Sequence, residues 1–276
     1  MSPSPTILRT GGVGFLFEFE RAWADLVGSV LRGPLAWALA RHDIASRYRG
    51  SILGPFWITL SMGTMVVGLG VLYSQLFHLE IHAFLPYVAL GIVIWSLISG
   101  LTTEGCETFN QAAAILRQTS LPLLTFVWRT VTRSLIAFSH HLVIVVAVMI
   151  WARMYSANYL MALLGLVVVV ANLSWLSLLT AIASARFRDI PQVVTSVMQF
   201  AMFLTPVFWR ADQLPKRGLI LTYNPFYYML DVVRSPLLSA PQDPRSWPVL
   251  LTMALVGWGV AFLLFAKTRR RVVHYL

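Results

Sequence analysis

The sequence predicts an all-α integral membrane protein with six transmembrane helices. Of its 276 residues, 58% are hydrophobic and only 12% are charged, whereas a soluble domain has about 25% charged residues because its surface faces water. The apolar residues fall into six segments, each close to the roughly 20 residues that cross a bilayer core. In lipid, the backbone N–H and C=O groups must be bonded within each segment, so we expect these segments to be helices.

The six predicted spans follow one another along most of the chain. Some are joined by tight hairpins and others by longer connections with charged residues. We expect the third span to extend further towards its N-terminus, where Arg133 could reach the membrane surface. The spans are residues 54–77, 84–101, 135–151, 160–185, 193–209 and 247–266.

Two further segments are apolar but too interrupted by polar residues to cross. Residues 21–49 mix apolar residues with charges, which predicts one or two amphipathic helices in the cytoplasmic interface, interrupted at Gly33-Pro34. Residues 219–238 predict short helices that dip into the outer leaflet before the last span. The chain therefore divides into residues 1–50, the cytoplasmic N-terminus with its interface helices, and residues 51–276, the six-span domain.

The distribution of Lys and Arg predicts the orientation. Most of the 21 basic residues fall on the cytoplasmic side if both termini are placed there, as the positive-inside rule expects. The net charge of +10 then reflects topology, and nucleic-acid binding is not implied. We expect no cleavable signal peptide, because the first apolar stretch is short and contains Glu18.

A nucleotide-binding site is not expected on this chain. The two lysines, Lys216 and Lys267, both lie outside any G-x-x-x-x-G-K-[ST] motif, so ATP-driven work would require a separate chain. The apolar middles of the spans contain no carboxylates, which argues against a proton- or sodium-coupled carrier. Glu104 and Glu107 lie just past the second predicted span, where we expect them to face water.

His140 and His141 form a polar pair deep in the third predicted span. They could be catalytic, as in a membrane acyl- or glycosyltransferase, or they could bond to neighbouring helices within the bundle. Adjacent helical residues point about 100° apart, which makes one shared metal ion difficult. We favour the structural interpretation and expect neither a catalytic residue nor a metal site. Cys106 is the single cysteine, which excludes an intramolecular disulfide.

Several short motifs occur in a fixed order from Arg41 to the end of the chain. Each motif alone is common, but as an ordered set they resemble those of the type-2 ABC export permeases for O-antigen and capsular polysaccharides. The motifs are RYRGSILGPFW at residues 47–57, LPL at 121–123, FSH at 138–140, ARFRDI at 185–190, NPFYY at 224–228 and VRSPLL at 233–238.

The resemblance implies a homodimeric permease in the bacterial cytoplasmic membrane, with one ABC ATPase subunit per protomer. The cargo would be a polysaccharide attached to a polyprenyl diphosphate lipid. ATP and Mg²⁺ would be bound by the ATPase, so this chain would hold no cofactor and would not itself be an enzyme. Alternatives are the transferase that uses His140 or His141 and a related ABC permease for drugs or heme.

The resemblance also implies which segment contacts the ATPase. This is the connection between the second and third predicted spans, residues 113–124, with Arg117, Gln118, Leu121 and Pro122. Aromatic side chains can stack on sugar rings, although those near span ends also suit the aromatic belts at the membrane surfaces. The candidate channel aromatics are Trp57, Tyr73, Phe200, Phe203 and Phe208.

Arg47 and Arg49 are the candidate residues for receiving the lipid diphosphate at the cytoplasmic entrance. They precede the first predicted span, where their side chains should lie at head-group depth. A guanidinium suits this role because its planar fork bonds two phosphate oxygens while keeping its charge. The alternative is that both arginines only anchor the topology and contact ordinary anionic lipids.

Overall fold

The computed structural model describes residues 15–156, 158–210 and 218–275, so Lys216 lies outside the described residues. Within these ranges, every regular element is an α-helix, as expected from the sequence. In chain order the helices are α1 (Phe15–Leu31), α2 (Gly33–Arg47), α3 (Phe56–Leu76), α4 (Ile81–Gln118), α5 (Leu124–Trp151), α6 (Tyr159–Arg186), α7 (Ile190–Leu204), α8 (Leu219–Thr222), α9 (Pro225–Leu237) and α10 (Ser246–Tyr275).

Five of the described helices are long and apolar enough to cross a membrane: α3, α4, α5, α6 and α10. They correspond to five of the six predicted spans. The remaining predicted span, residues 193–209, coincides with α7, which has 15 residues. At 1.5 Å per residue α7 is about 22 Å long, less than the roughly 30 Å of a bilayer core. Turns and bends follow at residues 205–209.

Helix α4 is much longer than the sequence predicted. The second predicted span ends at Leu101, whereas α4 continues to Gln118 and has 38 residues. The predicted boundary was wrong because polar residues after Leu101 suggested an exit into water. In the structure most of these polar residues occupy one face of the helix, whereas Thr102 and Thr108 are buried. Its opposite face is apolar and buried, with Cys106, Phe109 and Ala112 in the bundle.

Helix α5 begins at Leu124, which confirms that the helix of the third span starts well before residue 135. It runs antiparallel to α4. Thr108 Oγ1 lies 2.9 Å from Thr130 Oγ1 near one end of the pair, and Ser96 Oγ lies 3.0 Å from His141 Nδ1 further along. Helices α4 and α5 are therefore packed along much of their length.

The two ends of the bundle are closed by different helices. At one end, named here the α1–α2 end, Asp25 of α1 contacts both Leu124 at the start of α5 and Arg269 near the end of α10. At the other, the α9 end, Asp231 of α9 accepts a hydrogen bond from Ser246 at the start of α10. Helix α1 and the C-terminal part of α10 thus lie at the same end.

Two helices precede the first span, as predicted for residues 21–49. Arg32 separates α1 from α2, and Pro34 falls in the first turn of α2, where a missing N–H costs no helical hydrogen bond. Both helices pack on the bundle, with Ala22, Ala36 and Ala40 buried. Their location in the membrane interface stays a prediction.

Helix α9 lies within the bundle, so the predicted short helices before the last span are present. Asn224 caps its N-terminus by accepting a hydrogen bond of 3.0 Å from the Phe226 N–H. Residues 227–236 are buried against α4, α6 and α10. A side chain at Gly165 of α6 would collide with the Val232 carbonyl, so this close approach requires glycine. The leaflet in which α9 lies stays a prediction.

Two glycines on α4 allow a test of this packing. A Cβ at Gly105 would lie 2.9 Å from the Ser177 Cα of α6, whereas a Cβ at Gly100 would meet nothing within 4 Å. We expect Gly105→Ala to destabilise the purified protein by about 1–3 kcal/mol, because α4 and α6 must move apart. Gly100→Ala, the matched control, should be neutral or slightly stabilising. Thermal unfolding in detergent would compare them, and equal stabilities would contradict this packing.

Candidate functional site

A cavity of about 610 Å³ lies at the α1–α2 end, between α2, α3, α4 and α5. It lies where α2 leads through a turn into α3, the first spanning helix. Its wall contains five charged side chains. They are Asp43, Arg47, Glu104, Arg129 and Arg133.

Arg129 and Asp43 form the centre of this charged group. Arg129 Nη2 lies 2.6 Å from Asp43 Oδ1, and Arg129 Nε lies 2.7 Å from Asp43 Oδ2. Both side chains are largely buried, with 14% and 15% of their surface exposed. A fork of this geometry is among the strongest side-chain pairings, since two charge-assisted hydrogen bonds form in parallel. It holds α2 against α5.

Arg133 extends the network to α4. Its Nε donates to Glu104 Oε2 at 3.1 Å, and its Nη1 donates to Gln111 Oε1 at 3.0 Å and to Asp43 at 3.4 Å. Arg133 is therefore paired inside the bundle, and its position at the membrane surface stays a prediction. Glu104, which was expected to face water, keeps 31% of its side-chain surface exposed while its carboxylate pairs with Arg133.

The cavity retains positive charge after these pairs are formed. Three guanidinium groups line it, from Arg47, Arg129 and Arg133, against the two carboxylates of Asp43 and Glu104. Arg47 is the last residue of α2 and is exposed. A cavity with this wall can accept an anion through Arg47, with Arg129 and Arg133 behind it.

The structure separates the two predicted phosphate-binding residues. Arg47 lines the cavity, whereas Arg49 lies two residues further in the turn that leads to Gly50 and is exposed outside it. Gly50 has a φ of +81°, a conformation that glycine adopts without strain. The turn therefore directs only one of the two arginines to the charged group.

The predicted ATPase-contacting residues divide between a helix and a loop. Arg117 and Gln118 form the exposed last turn of α4, and Leu121 and Pro122 lie in the connection of residues 119–123. The connection is thus shorter than the predicted 113–124, because residues 113–118 are helical. All four residues lie at the α1–α2 end.

Asp25 of α1 fixes this connection in place. Its carboxylate, fully buried, accepts hydrogen bonds of 3.1 Å from the N–H groups of Leu123 and Leu124, and one of 2.9 Å from Arg269 Nε. A carboxylate at a helix N-terminus bonds donors that have no partner within the helix. Helices α1, α5 and α10 are therefore joined at the start of α5.

Three of the five candidate channel aromatics meet at the α9 end. Tyr73 stacks on Phe208 with a centroid distance of 5.5 Å, and Phe203 contacts Phe208 edge-on at 6.2 Å. Phe77, which the sequence did not single out, stacks on Tyr73 at 5.7 Å. Phe200 is exposed one turn before Phe203, and Trp57 is exposed near the opposite end of α3.

The two histidines of α5 have different partners. His140 Nδ1 lies 2.9 Å from the Ile136 carbonyl of its own helix. His141 Nδ1 lies 3.0 Å from Ser96 Oγ of α4. Among the described residues, no carboxylate hydrogen-bonds to either ring, so the orienting acid of a catalytic triad is not found beside them. These contacts fit bonding between and within helices.

Sequence reasoning missed Asp43, Glu104 and Arg129 as members of one site. The sequence did indicate a charged site, since Arg129 and Arg133 are one turn apart in a largely apolar helix and must share a face. Two buried guanidiniums on one face require carboxylates nearby. The sequence does not say which helices supply them.

The network predicts a large cost for neutralising Asp43. Asp43→Asn keeps the shape of the side chain but leaves Arg129 without its carboxylate, and we expect a loss of about 3 kcal/mol in stability. Asp189→Asn is the control, because Asp189 is exposed and its side chain makes no capping bond. Thermal unfolding of the purified variants would measure the difference. Similar unfolding of the two variants would show that the network does not hold α2.

Comparison with known proteins is consistent with this arrangement. A family model described as "ABC-2 type transporter" matches residues 34–238, from the first turn of α2 to the end of α9. The matched region contains the whole cavity. The O-antigen export system permease protein RfbA of Myxococcus xanthus is 23% identical over 199 residues, which cover 70% of this chain and 76% of that protein.

Proposed function

Because this chain belongs to the ABC-2 type transporter family and is a multi-pass membrane subunit of an ABC transporter, we propose that its cargo is a polysaccharide carried on a polyprenyl diphosphate lipid. Export would proceed from the cytoplasmic to the outer side of the bacterial inner membrane. The family assignment indicates a transporter subunit and not an enzyme, so the transferase alternative is left without support.

The observation that carries the proposal is the guanidinium-lined cavity at the start of the first span. Its volume of about 610 Å³ lies within the range of small-molecule sites, roughly 300–1,000 Å³. A diphosphate is the anionic group of the proposed lipid, and guanidinium groups bond phosphate oxygens with matching geometry. The similarity to a protein named as an O-antigen export permease supports the same class of cargo.

The proposed transporter contains two copies of this chain and one ATPase subunit per copy, with ATP and Mg²⁺ bound by the ATPase. We propose that Arg117, Gln118, Leu121 and Pro122 contact the ATPase. The last turn of α4 and the first residues of the connection after it are exposed. Asp25 joins this connection to α1 and α10. A displacement of the connection by the ATPase would therefore be transmitted to α1, α5 and α10.

The proposed topology has six crossings with both termini in the cytoplasm. Helix α7 follows α6 closely at the α1–α2 end, and residues 205–209 reach the α9 end, where Arg234 Nη1 donates to the Pro206 carbonyl at 2.7 Å. This contact supports a sixth crossing formed by α7 and residues 205–209. The α1–α2 end would face the cytoplasm, with α1 and α2 in the interface and α9 in the outer leaflet.

Deletion of the gene is the test of this function. Cells that lack this chain should accumulate lipid-linked polysaccharide in the cytoplasm and lose it from the cell surface, and re-expression of the chain should restore both. Surface extraction with sugar-specific staining, before and after membrane permeabilisation, measures the two pools. Normal surface polysaccharide in the deletion strain, combined with lost efflux of a drug or heme, would favour the alternative ABC permease.

The different positions of Arg47 and Arg49 allow a test of the proposal that the cavity binds the diphosphate. Lysine keeps the charge but loses the fork, so Arg47→Lys should lower the export rate about tenfold by weakening one charge-assisted contact. Arg49→Lys, outside the cavity, should export at the wild-type rate. Export would be measured at matched membrane abundance of the two variants. If both variants export normally, the cavity does not receive the diphosphate and Arg47 is only a topology anchor.

A further inference from the structure

The unburied face of α4 is polar over more than four turns. Between residues 96 and 111, every residue of this helix that is not buried is either polar or glycine. These residues recur every three or four positions, so they share one face. This face, named here the polar face of α4, consists of Ser96, Ser99, Gly100, Thr103, Glu104, Glu107, Asn110 and Gln111.

The other spanning helices have the opposite character. Their exposed residues are mainly large and apolar, as at Val67 and Leu72 of α3, Val167 of α6 and Leu255 of α10. Such faces suit contact with lipid tails. Since polar groups in contact with lipid tails are costly, a helix face built of serine, threonine, glutamate and asparagine indicates contact with water or a hydrophilic ligand.

A groove of about 340 Å³ lies beside the inner part of this face, between α3, α4 and α7. Ser96, Ser99 and Thr103 line it from α4 and Gln199 lines it from α7. The rest of its lining is mostly apolar, with methionines of α3 and α7 and with Ile92 and Trp95 of α4. The side chain of Gln199 is exposed and has no hydrogen-bond partner in the described part of the chain. An amide here needs a partner from outside the chain, because the middle of a membrane supplies none.

Hydrogen bonds from hydroxyl groups to carbonyls of the same helix do not satisfy all the polar groups of this face. Ser99 Oγ donates to the Trp95 carbonyl at 2.9 Å and Thr103 Oγ1 to the Ser99 carbonyl at 2.8 Å, which would let these two residues face lipid. The amides of Gln199 and Asn110 and the carboxylate of Glu107 have no such local partner among the described residues. Each back-bonded hydroxyl also keeps lone pairs that can still accept hydrogen bonds.

The charge pattern indicates what passes along this face. Its carboxylates, Glu104 and Glu107, lie towards the α1–α2 end together with Asn110 and Gln111, and only hydroxyl groups and Gly100 lie deeper on α4. Such a wall suits a chain rich in hydroxyl groups, which donate and accept hydrogen bonds without net charge. A diphosphate would be repelled by Glu107 and attracted to the arginine-lined cavity, which meets the polar face at Glu104 and Gln111.

We propose that the polar face of α4, together with Gln199 of α7, forms one wall of a water-filled path that binds the sugar chain of the cargo. The lipid diphosphate occupies the arginine-lined cavity beside it, so the head group and the sugar chain are held on two adjoining surfaces. This inference rests on the proposed function. It assigns Ser96, Ser99, Thr103 and Gln199 as sugar-contacting residues.

Thiol accessibility tests the path. Ser99→Cys, Thr103→Cys and Gln199→Cys would each be labelled by a charged, membrane-impermeant thiol reagent in inside-out vesicles that also contain the ATPase. The native Cys106 is buried, so the unsubstituted chain gives the background. Val167→Cys is the control: Val167 is 60% exposed on the apolar face of α6, and it lies near the depth of Ser96, since Gly105 of α4 is level with Ser177 of α6.

We expect the three cysteines on the path to react about tenfold or more faster than Val167→Cys, because the reactive thiolate forms in water and not in lipid. Added lipid-linked polysaccharide should slow their labelling severalfold, and free polyprenyl phosphate, which lacks sugars, should not. The wild-type chain is assayed for polysaccharide export in the same vesicles.

Two results would contradict the inference and leave the proposed function unaffected. Export by the wild-type chain with labelling no faster than at Val167→Cys would mean that the polar face does not contact water. Disulfide crosslinks between two copies at Ser99→Cys would then identify it as a helix–helix interface. Fast labelling without protection by the polysaccharide would mean that the path does not hold sugar. Failure of the wild-type chain to export polysaccharide would instead refute the proposed function itself.

Discussion

The rest of the bundle depends on one constraint: Arg129 and Arg133 must each be paired with a carboxylate. Both guanidiniums lie on one face of α5 inside the protein, and a buried charge without a partner is strongly destabilising. Asp43 and Glu104 supply the partners, and this fixes the depth of α2 beside α5 and the register of α4 against it. These four side chains bond one another across the space between three helices and line the cavity there.

Helix α4 combines two roles that usually belong to different helices. Its apolar side carries much of the core, with Ile98, Leu101 and Phe109 buried, and its other side is polar. At 38 residues, or about 57 Å, it is longer than a bilayer core. One continuous helix thus links the connection of residues 119–123 with the middle of the bundle.

The sequence predicted the helical class and most spans because apolar length alone determines them. It failed at α4 after Leu101, since a helix with one polar face has a low average hydrophobicity although its other face is buried. It could not predict the ion-pair network, because Asp43 and Arg129 are 86 positions apart and only the packing of α2 on α5 brings them together. Arg47 and Arg49 looked equivalent in sequence, but a turn separates their directions.

The polar face ends abruptly towards the α9 end. From Val88 to Trp95, every residue of α4 is buried, Gly91 lies against the Val207 carbonyl, and Trp95 meets Phe226 of α9 edge-on at 5.6 Å. The turn at residues 205–209 is held by Tyr87, which donates to the Trp209 carbonyl, and by Arg234, which donates to Pro206 and stacks on the Tyr87 ring. A path along α4 can therefore continue outwards only if this turn and α9 move away from α4 together, since Arg234 links them.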